Sequence, residues 1–240
     1  MVATIKGVLL CGGQGSRLQP LTEVVNKHLI RVHDKPMAEY PLLKMIEAGV
    51  TEIMIVTGGE NFAGVVKYFG SGAKWNIRIV YAIQDKPGGI AEALSLAKGF
   101  VGKDYILVCL GDNIWSMNLQ SYVQRFQERA WDEAILFSIF SKTPERFGQI
   151  KYMNGKIDDI FEKPKFHYSN EIITGIYLFG PYVFDIISQL EPSSRGELEI
   201  TDVNRKYIRN GSVEIVKMDG WWSDCGMIDT ILQTEELLKQ

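Results

Sequence analysis

Short, unbroken apolar runs alternate with longer segments of helical period through the first 140 residues. The runs Ile5–Cys11, 52–57, 77–82, Tyr105–Leu110 and 134–141 are rich in Val, Ile, Leu and aromatics. Runs of this length without polar alternation predict strands covered on both faces. The segments near 37–48, 61–69, 90–99 and 118–130 predict helices; in 39–48, Leu42, Leu43, Met45 and Ile46 gather on one apolar face. Gly49, Gly70, Gly99 and Gly102 are expected to close elements. This β-α-β-α order predicts a doubly wound, mostly parallel α/β sheet with helices on both sides.

The pattern then changes. Residues 148–180 read as strands and turns: 148–152, a turn at Asn154-Gly155, 157–162 and 172–179. Asn-Gly between two strand-like runs is a strong hairpin signal. A helix is expected at 181–189 with Pro181 in its first turn. A second runs over roughly 199–209, a strand over 213–217 and a terminal helix over 227–239. There is no low-complexity tract, linker or internal repeat. The expectation is one domain over residues 1–240, with a nucleotide-binding half to about 140 and a mixed half beyond it.

Composition narrows the class. A chain of 240 residues with 46% hydrophobic and 11% aromatic residues can bury a full core. A net charge of −3 supplies no general basic field for nucleic acid or membrane. No apolar run approaches the roughly 20 residues of a membrane span, and the N-terminus lacks the form of a signal peptide. Cys11, Cys109 and Cys225 are few, odd in number and far apart. That argues for reduced thiols and a cytoplasmic setting, and no spacing suits zinc.

Chemistry enters at the end of the first strand. Gly12-Gly13-Gln14-Gly15-Ser16-Arg17-Leu18 follows Val8-Leu9-Leu10-Cys11, and Lys27 comes soon after. Glycines admit φ > 0 and let bare N–H groups approach a ligand, and such loops after strands hold phosphates. With Arg17 and Lys27 beside it, the loop predicts a triphosphate site. The P-loop spacing is absent. The dinucleotide fingerprint fits at Gly13 and Gly15 but fails at Leu18, which argues against a nicotinamide dehydrogenase. Pro20 and the unpatterned residues 16–22 predict an irregular loop that wraps a ligand.

Two acids form a second anchor. The strand Tyr105–Leu110 runs into Gly111-Asp112-Asn113, and Asp224 sits in Trp221-Trp222-Ser223-Asp224-Cys225-Gly226. Ligands of open α/β sheets bind beyond the carboxyl ends of the strands. Mg²⁺ takes one or two carboxylates together with phosphate oxygens. Asp112 and Asp224 are therefore the candidate metal ligands.

With these pieces assembled, the chain resembles the sugar-nucleotidyltransferase family, and within it the branch that thymidylylates glucose 1-phosphate. The loop at 12–22 matches, as do Asn26-Lys27-His28-Leu29 and Asp34-Lys35-Pro36-Met37. So do Tyr81-Ala82-Ile83-Gln84, Gly89-Ile90-Ala91-Glu92-Ala93 and Leu110-Gly111-Asp112-Asn113. Further on come Pro144-Glu145-Arg146-Phe147-Gly148, Glu162-Lys163-Pro164, Ile173-Thr174-Gly175-Ile176-Tyr177, the long segment 195–204 and Trp222-Ser223-Asp224-Cys225-Gly226. These run in family order over nearly the whole chain.

The resemblance implies the nucleotide-diphospho-sugar transferase fold and a reaction. A nucleoside triphosphate, dTTP above all, and glucose 1-phosphate would give dTDP-glucose and pyrophosphate with Mg²⁺. It also implies roles. Arg17, Lys27, Asp112 and Lys163 would be catalytic. Leu10, Gly12, Gly13, Gly15, Ser16, Gln84 and Gly89 would hold the nucleotide, with Gln84 and Gly89 reading the base. Asn113, Gly148, Glu162, Lys163, Ile173, Thr174, Gly175 and Arg195 would hold the sugar phosphate, and Asp112 and Asp224 the metal.

The sequence departs from the family pattern at several points. Arg31 replaces the proline of Lys-x-Leu-Leu-Pro-Val, Glu92 the glutamine of Gly-Leu-Ala-Gln-Ala, and Ser16 a threonine. The chain stops at Gln240, where longer thymidylyltransferases add helices around a regulatory nucleotide site, so that site is expected to be lacking. Two other readings remain. One is a uridylyl- or cytidylyltransferase. The other is a non-catalytic sugar-nucleotide-binding protein, which retention of Arg17, Lys27, Asp112 and Asp224 argues against. A homo-oligomer is compatible with the family.

Overall fold

The computed structural model describes residues 4–13, 15–23, 25–59, 62–130 and 132–239. The first half contains β1 (Ile5–Cys11), β2 (Arg31–Val32), β3 (Lys35–Pro36), α1 (Glu39–Glu47), β4 (Glu52–Gly58), α2 (Phe62–Phe69) and β5 (Arg78–Gln84). It continues through α3 (Ile90–Ser95), α4 (Lys98–Val101), β6 (Tyr105–Leu110), β7 (Asn113–Trp115) and α5 (Gln120–Phe126). The second half contains β8 (Ala134–Phe140), β9 (Gly148–Met153), β10 (Lys156–Glu162), β11 (Glu171–Phe179), α6 (Val183–Ile187), α7 (Ile200–Asn210), β12 (Val213–Lys217), β13 (Trp222–Asp224) and α8 (Ile228–Leu238).

The doubly wound reading holds. β1 lies between β4 and β6, with β5 beyond β4, and all three pairings are parallel. Side chains alternate strictly between the two faces, as a pleat requires. Leu9 and Cys11 of β1, Ile53 and Ile55 of β4, and Leu107 and Cys109 of β6 enter one core with α1, α2 and α5. Val8 and Leu10, Met54 and Val56, and Ile106 and Val108 enter the other, with α3, α4, α6 and α7. Strands buried on both sides cannot show polar alternation, which is why the apolar runs are continuous.

β11 joins the two halves. It runs antiparallel to β6, β8 and β9, and β12 extends the sheet from β8. Its Ile172 and Ile173 pair with β9, whereas Ile176–Phe179 pair with β6. The sheet therefore forks along β11, with Thr174 and Gly175 at the fork. A Cβ on Gly175 would stand 2.5 Å from the Leu110 side chain and 2.7 Å from Asn113 Oδ1, so the close approach of β6 to the fork requires glycine there.

A third, smaller core joins the N-terminal loop to the C-terminus. Leu18, Val32, Met37 and Ile114 pack there with Cys225 and Ile231. Leu18 is fully buried and pins the 3₁₀ turn Ser16–Leu18 against the segment that carries Asp224.

Several local expectations need correcting. The helix expected over 90–99 is two short helices, α3 and α4, and Gly99 lies inside α4 and closes nothing. Gly49, Gly70 and Gly102 do take positive φ at helix ends. The helix expected at 181–189 shortens to α6, with Pro181 in the preceding turn. The Asn154-Gly155 hairpin forms with both residues at positive φ.

Candidate active site

Two clefts open at the carboxyl ends of the parallel strands. The first, about 220 Å³, is walled by Leu10 near the end of β1, Gly12 and Gly13 just after it, Gln84 at the end of β5, and Gly89 and Ala93 at and just inside the start of α3. The second, about 200 Å³, lies in the fork and is walled by Asn113, Gly148, Glu162, Lys163, Ile173, Thr174 and Gly175, with Arg17, Arg146 and Asp224 at its rim. Ile90, Leu110 and Asp112 belong to both, so Asp112 stands where the clefts meet.

In the first cleft the glycines keep the strand end bare. Gly13 and Gly15 have positive φ, and a Cβ on Gly15 would stand 2.8 Å from Thr22 Cγ2. Thr22 Oγ1 donates to the Gly15 carbonyl at 2.9 Å and closes the loop on itself. Gln14 lies outside the described residues. Ser16 and Arg17 are exposed; Arg17 reaches the second cleft, whereas Gly15 and Ser16 line neither. Gly89 takes φ +99, and a Cβ there would stand 2.4 Å from the Leu198 carbonyl oxygen.

The Gln84 amide has a defined orientation. Its Nε2 donates to the Gly89 carbonyl at 3.1 Å and to a Glu92 carboxylate oxygen. Both partners only accept, so the nitrogen must face them. Oε1 then lies against Gly12, 3.0 Å from where a Cβ would stand. The carboxylate that departs from the family pattern at 92 thus holds the amide that faces the cleft.

Lys27 and Asp112 form an ion pair between the loop after β1 and the end of β6. Asn26 accepts the His28 N–H at 2.9 Å and starts the turn that carries Lys27. Burial alone would raise the Asp112 carboxyl. The Lys27 ammonium outweighs it, aided by the Asn113 amide, and holds Asp112 well below the usual carboxylate range. Burial, with the Lys27 charge, pushes the His28 imidazole down to about 3, so it stays neutral.

Asp224 reaches the same site through a strand pair that sequence reasoning missed. β13 pairs with β7 antiparallel, and Asp224 faces Asn113. Asn113 Oδ1 accepts from the Gly175 N–H at 2.9 Å and from Trp222 Nε1 at 2.8 Å, while its Nδ2 donates to Asp112 at 2.8 Å. Asn113 thereby fixes β11, β13 and Asp112 together. Burial pushes the Asp224 carboxyl up to about 6; the Arg146 guanidinium, 2.6 Å away, opposes this and the charge of Asp112 adds to it. Arg146 also lies over the Phe147 ring.

The sugar-side residues gather as expected, except for one. Thr201 Oγ1 donates to Glu162 at 2.5 Å, and Lys163 Nζ lies 3.3 Å from Glu162. Arg195 does not line either cleft. It is bound by Glu199 through three hydrogen bonds of 2.7–3.0 Å, with Glu197 at 3.2 Å. Its charge is already met by carboxylates, which its position in a glycine-flanked loop could not reveal. Arg146, Trp222, Tyr177 and Asn204 line the second cleft but were not singled out as site residues. Only Arg146 offered a signal, as a cation two positions before Gly148.

Among the described residues no group of three or more His, Cys, Asp and Glu side chains is placed to hold a metal. Asp112 and Asp224 supply two hard oxygen donors, and the charge of Asp112 is felt at Asp224. That donor set suits a divalent cation that completes its shell with phosphate and water.

The chain matches the nucleotidyl transferase family over residues 6–240 and belongs to it; the protein is an enzyme of nucleotidyl transfer. It is 38% identical over 232 residues to a glucose-1-phosphate thymidylyltransferase of Neisseria meningitidis serogroup A / serotype 4A, covering 95% of this chain and 80% of that one. A crystal structure from Bacillus anthracis, provisionally assigned as a glucose-1-phosphate thymidylyltransferase and complexed with sucrose, superposes with TM-score 0.93 at 43% identity. The match covers 99% of this chain and 96% of that one. A UDP-glucose pyrophosphorylase bound to UDP-glucose shares the fold, with TM-score 0.86 at 23% identity over 98% of each chain.

Proposed function

We propose that the protein transfers a thymidylyl group from dTTP to glucose 1-phosphate, giving dTDP-glucose and pyrophosphate. The observation that carries this is the meeting of two clefts at Asp112, one behind a glycine loop and one in the fork of the sheet. The triphosphate lies along the loop, and the sugar phosphate occupies the fork beside Lys163. A phosphate oxygen of the sugar 1-phosphate attacks the α-phosphorus in line. The bond from that phosphorus to the bridging oxygen of the β-phosphate breaks, and pyrophosphate leaves with the electron pair.

Little covalent work falls to the protein, so its task is alignment and charge neutralisation. Arg17 and Lys27 neutralise the triphosphate, and Lys163 the incoming phosphate. Asp112 and Asp224 are the residues that would hold Mg²⁺, which when bound offsets charge on both substrates. Gln84 Oε1, left as an acceptor, suits a base with a ring N–H, and the Gly89 N–H suits an adjacent carbonyl. Thymine and uracil carry that edge, and cytosine does not. The names of the relatives favour thymine over uracil, which differ by one methyl group worth only about 1–3 kcal/mol in a pocket.

The unpaired, buried state of Cys11, Cys109 and Cys225 supports a reducing, cytoplasmic setting. No helix of the described residues is long and apolar enough to cross a membrane. The reading is tested by a pyrophosphate-release panel of dTTP, UTP, CTP, ATP and GTP against glucose, galactose, mannose and N-acetylglucosamine 1-phosphates. Highest turnover for dTTP with glucose 1-phosphate is expected. Preference for CTP or a purine, or for another sugar, would overturn it.

A further inference from the structure

α7 buries Ile200, Thr201, Val203, Asn204 and Tyr207, and of these Ile200, Val203, Asn204 and Tyr207 share one helical face. Ile200, Val203 and Tyr207 belong to the apolar core beneath the sheet. The remaining position carries an amide that is 1% exposed. Asn204 Oδ1 has no hydrogen-bond partner, although buried polar atoms are as a rule paired because leaving them unmet is costly. A leucine would serve packing better at a core-facing helix position.

The place of this amide explains it. Asn204 lines the cleft in the fork, alongside Glu162 and Thr201. Thr201 Oγ1 already donates to Glu162, and a Cβ on Gly148 would stand 3.4 Å from Thr201 Oγ1 and 3.6 Å from Glu162 Oε2. Glu162, Thr201 and Asn204 thus make a polar wall on the α7 side of an otherwise apolar helix face. An amide can turn about its last torsion to offer either its oxygen or its nitrogen, so it suits a hydroxyl, which both donates and accepts.

We infer that Asn204 is a sugar-binding residue that hydrogen-bonds a ring hydroxyl of the sugar 1-phosphate, and that substrate satisfies the amide oxygen the fold leaves unpaired. This rests on the proposed function in requiring that the fork cleft holds the sugar. The test is Asn204→Leu, which keeps the volume and removes the polar atoms. Steady-state kinetics are measured with whichever hexose 1-phosphate the wild type uses best. KM for the sugar phosphate is expected to rise about tenfold while KM for the nucleotide stays within about twofold. The melting temperature should not fall.

Monodeoxy analogues of the sugar phosphate give a second reading that needs only wild-type protein and, where it folds, the variant. Loss of one hydroxyl should cost the wild type about tenfold in kcat/KM and Asn204→Leu far less. Unchanged sugar KM, or equal loss for both substrates, would overturn the inference while the proposed function stands. So would an analogue series in which wild type and variant lose activity in parallel. A wild type that uses no hexose 1-phosphate with any nucleotide would overturn both.

Discussion

The Cys225 N–H donates to the Asp112 carbonyl at 2.8 Å, one step beyond the Asp224–Asn113 pair of β13 and β7. This bond ties the last strand of the chain to the end of β6, and so brings two acids from distant parts of the sequence to one rim. Neither acid is placed by its local neighbours alone.

Replacing either acid with its amide keeps the shape and removes the charge. Asp112→Asn and Asp224→Asn should each abolish Mg²⁺-dependent pyrophosphate release, with far-ultraviolet circular dichroism unchanged. Near-normal turnover in either variant would refute the metal assignment.

The two acids should also move stability with pH in opposite directions. Asp224 has an ordinary value of 3.8 and a folded value of about 6. Its raised value means that its favourable contribution is complete below about pH 4 and is lost as pH rises through about 6. Asp112 is held low, so its contribution is present at neutral pH and is lost as pH falls below the ordinary carboxylate range. Asp224→Asn should therefore be more stable than wild type at pH 7, by about 1–3 kcal/mol. The gain should disappear near pH 4. Urea denaturation at several pH values measures it, and a variant less stable at pH 7 would contradict the environment described for Asp224.

Gln84 supports a separate expectation. Gln84→Glu sets a third acceptor against the Gly89 carbonyl and the Glu92 carboxylate, and repulsion turns it away from its present position. Calorimetric affinity for dTTP should fall by about tenfold or more, whereas the KM for the sugar phosphate should change little. Retained nucleotide affinity would show that the amide is not held as described.

Gly89→Ala combines a disfavoured φ with a clash against backbone. The nearest atom is the Leu198 carbonyl oxygen at 2.4 Å, and that carbonyl also accepts the Ala91 N–H, so it cannot swing aside freely. Expected effects are a loss of about 1–3 kcal/mol of stability and a larger loss of nucleotide affinity. A variant that matches wild type in both thermal unfolding and dTTP binding would contradict the close approach.

The central strands were legible because burial on both faces leaves an uninterrupted apolar run, and the hairpin because Asn154-Gly155 is a local signal. β7 and β13 were not, since each is three residues long and exists only through its distant partner. The same distinction separates the site residues. Loop glycines and the acids at strand ends announce themselves in sequence. Asn204 looks like an ordinary polar residue of an amphipathic helix until the face it occupies is known. Arg195 looked available because the three glutamates around it, at 162, 197 and 199, include one from β10, distant in sequence.

The fork along β11 separates two design tasks. Gly12, Gln84 and Leu110 of the first cleft hang from β1, β5 and β6, whereas Gly148, Glu162 and Asn204 of the second hang from β9, β10 and α7. Among the described residues only Asp112, Leu110 and Ile90 line both clefts. A new sugar preference could therefore be evolved by substitutions confined to one branch of the sheet, leaving the base preference inherited intact.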